Sequence, residues 1–377
     1  MDFAFSPEQE MLRETARRFL AEECPSTLVR KMMDDPAGIT PDLWQKIAEL
    51  GWLGLIYPEE YGGAGLSYVD LTVVLEEMGR VVFPGPYFSA LLLGGLAILE
   101  GGSPAQKKAW LPRIVNGDAR VTLAWTEPNG RWDADGVTVT AKKDGHGFVL
   151  SGTKLFVPDA HTADALVVAA RTASEPERGV GLFLIPRESP GVTVTLLPTM
   201  DQTRKLCEVT FSVTRASAED FLGEVDRGGP VLRRVIDRAT VALCAEMCGG
   251  AQKVLEMSTE YAKVREAFGR PIGAFQAVKH KCADMLLLTE NAKSITYYAA
   301  WAVSHDVPEA TLAASMAKAY VSDAYRRVAA DAIQIHGGIG FTWEHDLHLY
   351  FKRAKSSEVT FGDATYHRER VAQLIQL

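Results

Sequence analysis

The hydrophobic period of this chain changes twice, and that pattern restricts the fold more than any other feature. From residue 1 to about 120, apolar residues recur at helical spacing; from about 121 to 225 they alternate every second residue; from about 226 to the end the helical spacing returns. Elements of these two periods bury different faces, so they must pack as separate layers. The pattern predicts an α+β protein with an N-terminal α-helical domain (1–120), a central β domain (121–225) and a C-terminal helical bundle (226–377). A chain of 377 residues is also too long for one small domain.

Local signals fill in this outline. Ser6-Pro7-Glu8-Gln9 predicts a helix start, with a Ser cap, Pro at the first helical position and Gln three residues after the cap. Met11, Leu12, Ala16, Phe19 and Leu20 follow at helical spacing. A Gly-rich break over 58–66 precedes a second helix over 69–78, and Ser103 caps another. In the centre, short strands are predicted at 137–140, 148–150, 154–157 (past a Ser-Gly turn), 165–170, 181–185, 192–197 and 208–213. Their even spacing suggests a compact antiparallel barrel or sandwich. The last region predicts long helices over 239–265, 274 to about 303 and 308 to about 336, the first apolar enough for burial on several faces.

Charge and cysteine usage exclude several function classes. Lys and Arg number 40 and Asp and Glu 48, giving a net charge of −8. That balance argues against a large basic surface for nucleic acid, and leaves room for a local basic pocket that takes an anionic ligand. The five cysteines (24, 207, 244, 248 and 282) include no C-x-x-C pair, so neither a metal cluster nor a disulfide framework is expected. Cys244 and Cys248 share a helix face and read as buried small apolar residues. The N-terminus opens with acids and lacks a signal-peptide pattern, and the longest apolar stretch, 87–99, is too short to span a bilayer. A cytoplasmic, reducing location is expected.

Four segments carry more specific information: residues 125–130 (WTEPNG), 264–276 (VREAFGRPIGAFQ), 334–342 (QIHGGIGFT), and 58–65 (PEEYGGAG) with 76–80 (EEMGR) downstream. The second places an Arg at a helix end, then a tight turn, then a new helix with an early Gln. Arg suits a phosphate because its planar fork offers paired donors and stays charged. The third has three glycines in four residues, which lets backbone approach a ligand. It is not a G-x-G-x-x-G run after a strand, so a Rossmann site is disfavoured.

Together the four segments resemble the acyl-CoA dehydrogenase family, and the resemblance runs the whole chain in the expected order. The resemblance implies a helical domain, a β domain and a four-helix bundle, usually tetrameric, with FAD bound by residues of the β domain and the bundle and reaching a neighbouring subunit. It implies that Arg265 and Phe268 contact a neighbour's FAD, and that Gln276, Gln334, Gly337 and Gly338 line its adenosine-diphosphate part. Trp125, Thr126 and the strand leading to Phe156 would hold the isoalloxazine ring. The implied reaction is α,β-desaturation of an acyl-CoA, with electron-transferring flavoprotein as acceptor, in fatty acid or steroid catabolism. A desolvated carboxylate would take the α-proton.

The sequence departs from this pattern around the reacting carbons. The family's base is usually a Glu in a Tyr-Glu-Gly-Thr-like run; the matching run here, 360–363, has Phe361 at that place. A minority carries the Glu on the first long bundle helix before an Arg, and counting back from Arg265 puts that place at Ala239. Asp237 is the first candidate substitute, Asp363 the second and Glu358 a third. Asp237 lies two residues from Ala239, about 200° around a helix, so it faces away unless the helix bulges or starts late. A Trp-x-Thr pair that normally packs on the flavin reads Phe156-Val157-Pro158, and Pro has no N–H to offer. A small serine beside the thioester entrance becomes Trp132. These departures define four readings: a dehydrogenase with an unusual base; a subunit of a heteromeric (α2β2) dehydrogenase for bulky steroid-derived or dicarboxylic acyl-CoAs; a flavin monooxygenase on the same fold; and a flavin-free structural partner.

Overall fold

The computed structural model describes residues 5–173, 179–224 and 227–377; the expected boundary between residues 225 and 226 lies outside them. Helices α1 (Pro7–Glu23), α2 (Ser26–Asp34), α3 (Pro41–Glu49), α4 (Tyr68–Arg80), α5 (Tyr87–Ser89), α6 (Leu96–Gly101) and α7 (Pro104–Val115) come first. The start of α1 is a capping box: Ser6 Oγ accepts from the Gln9 N–H at 3.3 Å, and the Ser6 N–H donates to Gln9 Oε1 at 3.0 Å. Ser103 and Gln106 repeat the device on α7.

The strands are β1 (Val121–Ala124), β2 (Thr140–Asp144), β3 (Gly147–Pro158), β4 (Ala165–Arg171), β5 (Val180–Pro186), β6 (Val192–Leu197), β7 (Leu206–Ala216) and β8 (Phe221–Leu222). Among the described residues they form one sheet in the order β6-β7-β3-β2-β4-β5-β8, with β1 parallel to β4. The sheet is therefore mixed, where the spacing suggested a purely antiparallel one. Phe148, Phe183 and Phe221 meet at its core with ring centroids 4.8–5.8 Å apart.

Two strand expectations are corrected. Residues 148–150 and 154–157 belong to one strand, β3, because Ser151 and Gly152 stay in the ladder, and the extra residue lies on β7 instead. Residues 137–139 are not a strand; the Glu127 carboxylate accepts the N–H groups of Thr138 and Val139, so those donors need no neighbouring strand.

The C-terminal helices are α8 (Gly228–Val264), α9 (Gln276–Ser304), α10 (Ala310–His336), α11 (Leu347–Val359) and α12 (Ala364–Leu374), with a small hairpin of β9 (Glu266–Ala267) and β10 (Arg270–Pro271) after α8. Helix α8 begins before residue 239 because Leu232, Val235 and Ile236 extend its buried face.

The chain divides into two units, and the division falls within α8. A helical unit contains the residues up to Arg30, Ser67–Phe83 and Thr240–Leu377. A sheet unit contains Lys31–Leu66 and Pro84–Ala239. Inside the helical unit α4 and α8 touch backbone to backbone. A Cβ on Gly249 would overlap the Glu76 carbonyl, and one on Gly79 would overlap the Glu246 carbonyl, so both crossings require glycine. All residues from Val241 to Gly250 are buried, as the apolar character of this helix implied. Cys244 and Cys248 lie here, and burial raises both thiols, Cys244 to about 12. Both stay protonated core residues.

Candidate functional site

In the sheet unit, Trp125 and Thr126 follow β1 and are buried. Thr126 is tied to β3 in both directions: its hydroxyl donates to the Leu155 carbonyl, and the Leu155 N–H donates to the Thr126 carbonyl at 2.9 Å. Beside this tie β3 carries a bulge. Lys154 pairs with Val209 and Val157 with Cys207, leaving one extra residue on β3. Phe148, Leu150 and Lys154 are buried; past the bulge Val157 is buried and Phe156 points outward, 53% exposed at φ 56°. An outward phenylalanine in the left-handed region is disfavoured by both hydration and sterics, and such positions cluster at functional sites. The structure thus brings Trp125, Thr126 and Phe156 together. The half-buried Trp132 packs on Trp125, with centroids 5.6 Å apart.

In the helical unit, Arg265 is exposed just after α8, and its carbonyl accepts from the Ile272 N–H at 2.7 Å, closing the β9–β10 hairpin. The two tip residues, Phe268 (φ 53°) and Gly269 (φ 75°), both adopt positive φ, as a two-residue hairpin requires. Phe268 is 96% exposed. Gln276, exposed, opens α9. Gln334, Gly337 and Gly338 are exposed at the end of α10. The stacked rings of Tyr261 on α8 and His336 on α10, 4.3 Å apart, join these two groups. Gly338 has no positive φ, and a Cβ there would meet nothing within 4 Å. Nothing inside the chain requires this glycine, whereas a phosphate drawn against the backbone would.

The sequence-predicted base positions are also resolved. Phe361 is 4% exposed at φ 62°, ahead of Gly362 at φ 99°. The Lys318 ammonium, fully buried, donates to Ser322 Oγ and to the carbonyls of Glu358 and Gly362, each at 2.9 Å. Burial lowers this lysine to about 8. His367 Nε2 donates to the Phe361 carbonyl at 3.0 Å. Burial, helped by the Lys318 charge, pushes His367 down to about 3, so it stays neutral. Asp363 is exposed and caps α12, accepting from the Tyr366 N–H at 2.8 Å. Glu358 pairs with Lys355 at 2.6 Å and Arg326 at 3.1 Å. Asp237 is buried on α8, which is helical without a break from Gly228 to Val264. With neither a bulge nor a late start, Asp237 and Ala239 project about 200° apart.

Sequence reasoning missed Lys154, Glu127 and Lys318. Lys154 and Glu127 form a fully buried ion pair at 2.6 Å. The readable signals were a Lys on the inward alternate of a strand (Phe148, Leu150, Lys154) and a Lys within the Ala-rich buried face of α10.

Family profiles match three segments: the acyl-CoA dehydrogenase N-terminal domain over residues 6–118, the middle domain over 122–213 and the C-terminal domain over 226–376. The chain belongs to the acyl-CoA dehydrogenase family. It is 30% identical over 379 residues to a probable acyl-CoA dehydrogenase of Bacillus subtilis, covering 99% of each chain. The structure of butyryl-CoA dehydrogenase from Megasphaera elsdenii matches with a TM-score of 0.92 at 27% identity, over 100% of both chains. The structure of the ChsE4-ChsE5 complex from Mycobacterium tuberculosis matches with a TM-score of 0.90 at 28% identity, over 100% of this chain and 99% of that one. Acyl-CoA dehydrogenases are FAD-binding flavoproteins. Taken unit by unit the residues suit such a group: in the sheet unit an outward aromatic at a bulge, and in the helical unit an exposed Arg, a fully exposed Phe and a glycine with open space around it. Among the described residues no helix is long and apolar enough to cross a membrane, and no cluster of His, Cys, Asp and Glu is arranged to hold a metal.

Proposed function

We propose that this chain is the FAD-binding subunit of a heteromeric acyl-CoA dehydrogenase, an α2β2 assembly in which a second family chain supplies the α-proton base. The observation that carries this reading is Phe361: a buried phenyl ring stands at the usual base position, and the carboxylates nearest to it in the sequence have other work. Asp363 caps α12 and Glu358 is ion-paired. The likeness to a two-chain complex supports it.

FAD supplies the hydride acceptor that no side chain can provide. In the sheet unit Trp125, Thr126 and Phe156 face its ring, and Pro158, having no N–H, leaves that part of the contact to other groups. In the helical unit Arg265 and Phe268 serve a neighbouring subunit's FAD, while Gln276, Gln334, Gly337 and Gly338 receive the adenosine-diphosphate part. The substrate is an acyl-CoA, the electron acceptor an electron-transferring flavoprotein, and the setting cytoplasmic fatty acid or steroid catabolism. The chain is organised as the domains 1–120, 121–225 and 226–377.

A second reading makes Asp237 the base of a homotetramer, favoured by the burial of this carboxyl on α8, although it projects about 200° from Ala239. Asp237→Asn separates the two. If Asp237 is the base, the variant binds FAD and no longer transfers electrons from acyl-CoA; if a partner supplies it, turnover of the assembled enzyme is unchanged.

A further inference from the structure

The buried pair Lys154–Glu127 has no part in the chemistry proposed above. Side-chain exposure is 0% for Lys154 and 1% for Glu127. Taking both charges out of water is expensive, and an apolar pair of similar volume would fill a core at less cost. Its partners indicate what it does. The Lys154 ammonium donates to Glu127 Oε1 at 2.6 Å and to the Trp125 carbonyl at 3.2 Å. The Glu127 carboxylate also accepts from the N–H groups of Thr138 and Val139, at 2.9–3.0 Å, and from the Thr138 hydroxyl. Between them, Thr126 is tied both ways to Leu155. Trp125, Thr126 and Glu127 are therefore each fastened to Lys154 or Leu155, immediately before the bulge that turns Phe156 outward.

We infer that Lys154 is a positioning residue: together with Glu127 it fixes the backbone carrying Trp125 and Thr126 against the bulge carrying Phe156, so that the three present one preset wall to the flavin ring. The inference rests on the reading that these residues face FAD. An apolar residue at 154 would pack but would leave the Trp125 carbonyl without its donor and Glu127 without its counter-charge. An Arg would keep the charge but move it beyond the geometry a compact ammonium satisfies.

The test uses the full-length chain as Lys154→Met, Lys154→Arg and the charge-free double variant Glu127→Gln/Lys154→Met. Three quantities are measured: the FAD affinity of the apoprotein, the near-ultraviolet circular dichroism of the Trp125–Trp132 pair, and the urea midpoint. A positioning role predicts at least tenfold weaker FAD binding and a lost tryptophan signal in all three variants, including any whose urea midpoint equals the wild type. FAD affinity that simply follows the urea midpoint, or is unchanged, overturns the assignment. A wild-type chain that does not bind FAD overturns the flavin reading itself.

Discussion

The Lys318 ammonium donates to the Gly362 carbonyl at 2.9 Å, directly after Phe361. With its bond to the Glu358 carbonyl it brackets the turn that holds Phe361 in the left-handed region. Lys318→Met removes the donor from three oxygens, two of them backbone carbonyls. The expected destabilisation is about 2–4 kcal/mol, from leaving buried acceptors unmet. Urea unfolding of wild type and variant checks it; equal midpoints would mean that the clamp is dispensable.

Glu76 offers a pH-dependent prediction. Burial raises its carboxyl to about 7, against partial relief from Tyr297, Arg13 and Lys293. A carboxyl raised in the folded state favours folding fully below the unfolded value of 4.5, and that contribution is lost as pH rises through 7. Glu76→Gln has no such loss. Relative to wild type the variant should gain on the order of 1–3 kcal/mol between pH 4.5 and pH 8, then level off. Urea midpoints of both proteins across that range test this; a constant difference would contradict it.

Gly338→Ala isolates the proposed cofactor contact. The added methyl meets nothing within 4 Å, and the backbone has no positive φ, so the apoprotein should unfold as the wild type does. Retention of FAD through gel filtration should nevertheless fall, because the methyl occupies space that the diphosphate needs. Full FAD retention would remove Gly338 from the site.

Trp132→Ala should abolish the circular dichroism that arises from its packing on Trp125, at a stability cost of about 1 kcal/mol for a partly exposed aromatic pair. With Trp132 gone, the assembled enzyme should accept bulkier acyl-CoA substrates, seen as a higher kcat/KM for the bulky member of a matched pair. An unchanged ratio would reduce Trp132 to a packing residue.

How far the sequence could be read follows the range of the interactions. The capping boxes of Ser6 and Ser103 act within three residues, and the structure contains both. The ends of α8 and β3 were misjudged because distant groups decide them. Apolar contacts of Leu232 and Val235 carry α8 back to Gly228, and β7 absorbs the bulge that would otherwise break β3 at Gly152. Within the proposed site, Arg265 and Gly338 were legible as residue types suited to an anionic ligand, whereas Phe268 entered only through the family resemblance. Lys154 and Lys318 were not legible, since the carboxylate and the backbone carbonyls that hold these buried ammonium groups lie 27 to 44 residues away.

The central claim is that this chain holds FAD but does not supply the base. The most direct test is the visible spectrum of the purified chain during anaerobic addition of acyl-CoA, with and without a second acyl-CoA dehydrogenase-like chain. The account predicts a yellow protein whose flavin absorbance persists with acyl-CoA alone and bleaches once the partner chain is present. Bleaching of the chain by acyl-CoA on its own would contradict it.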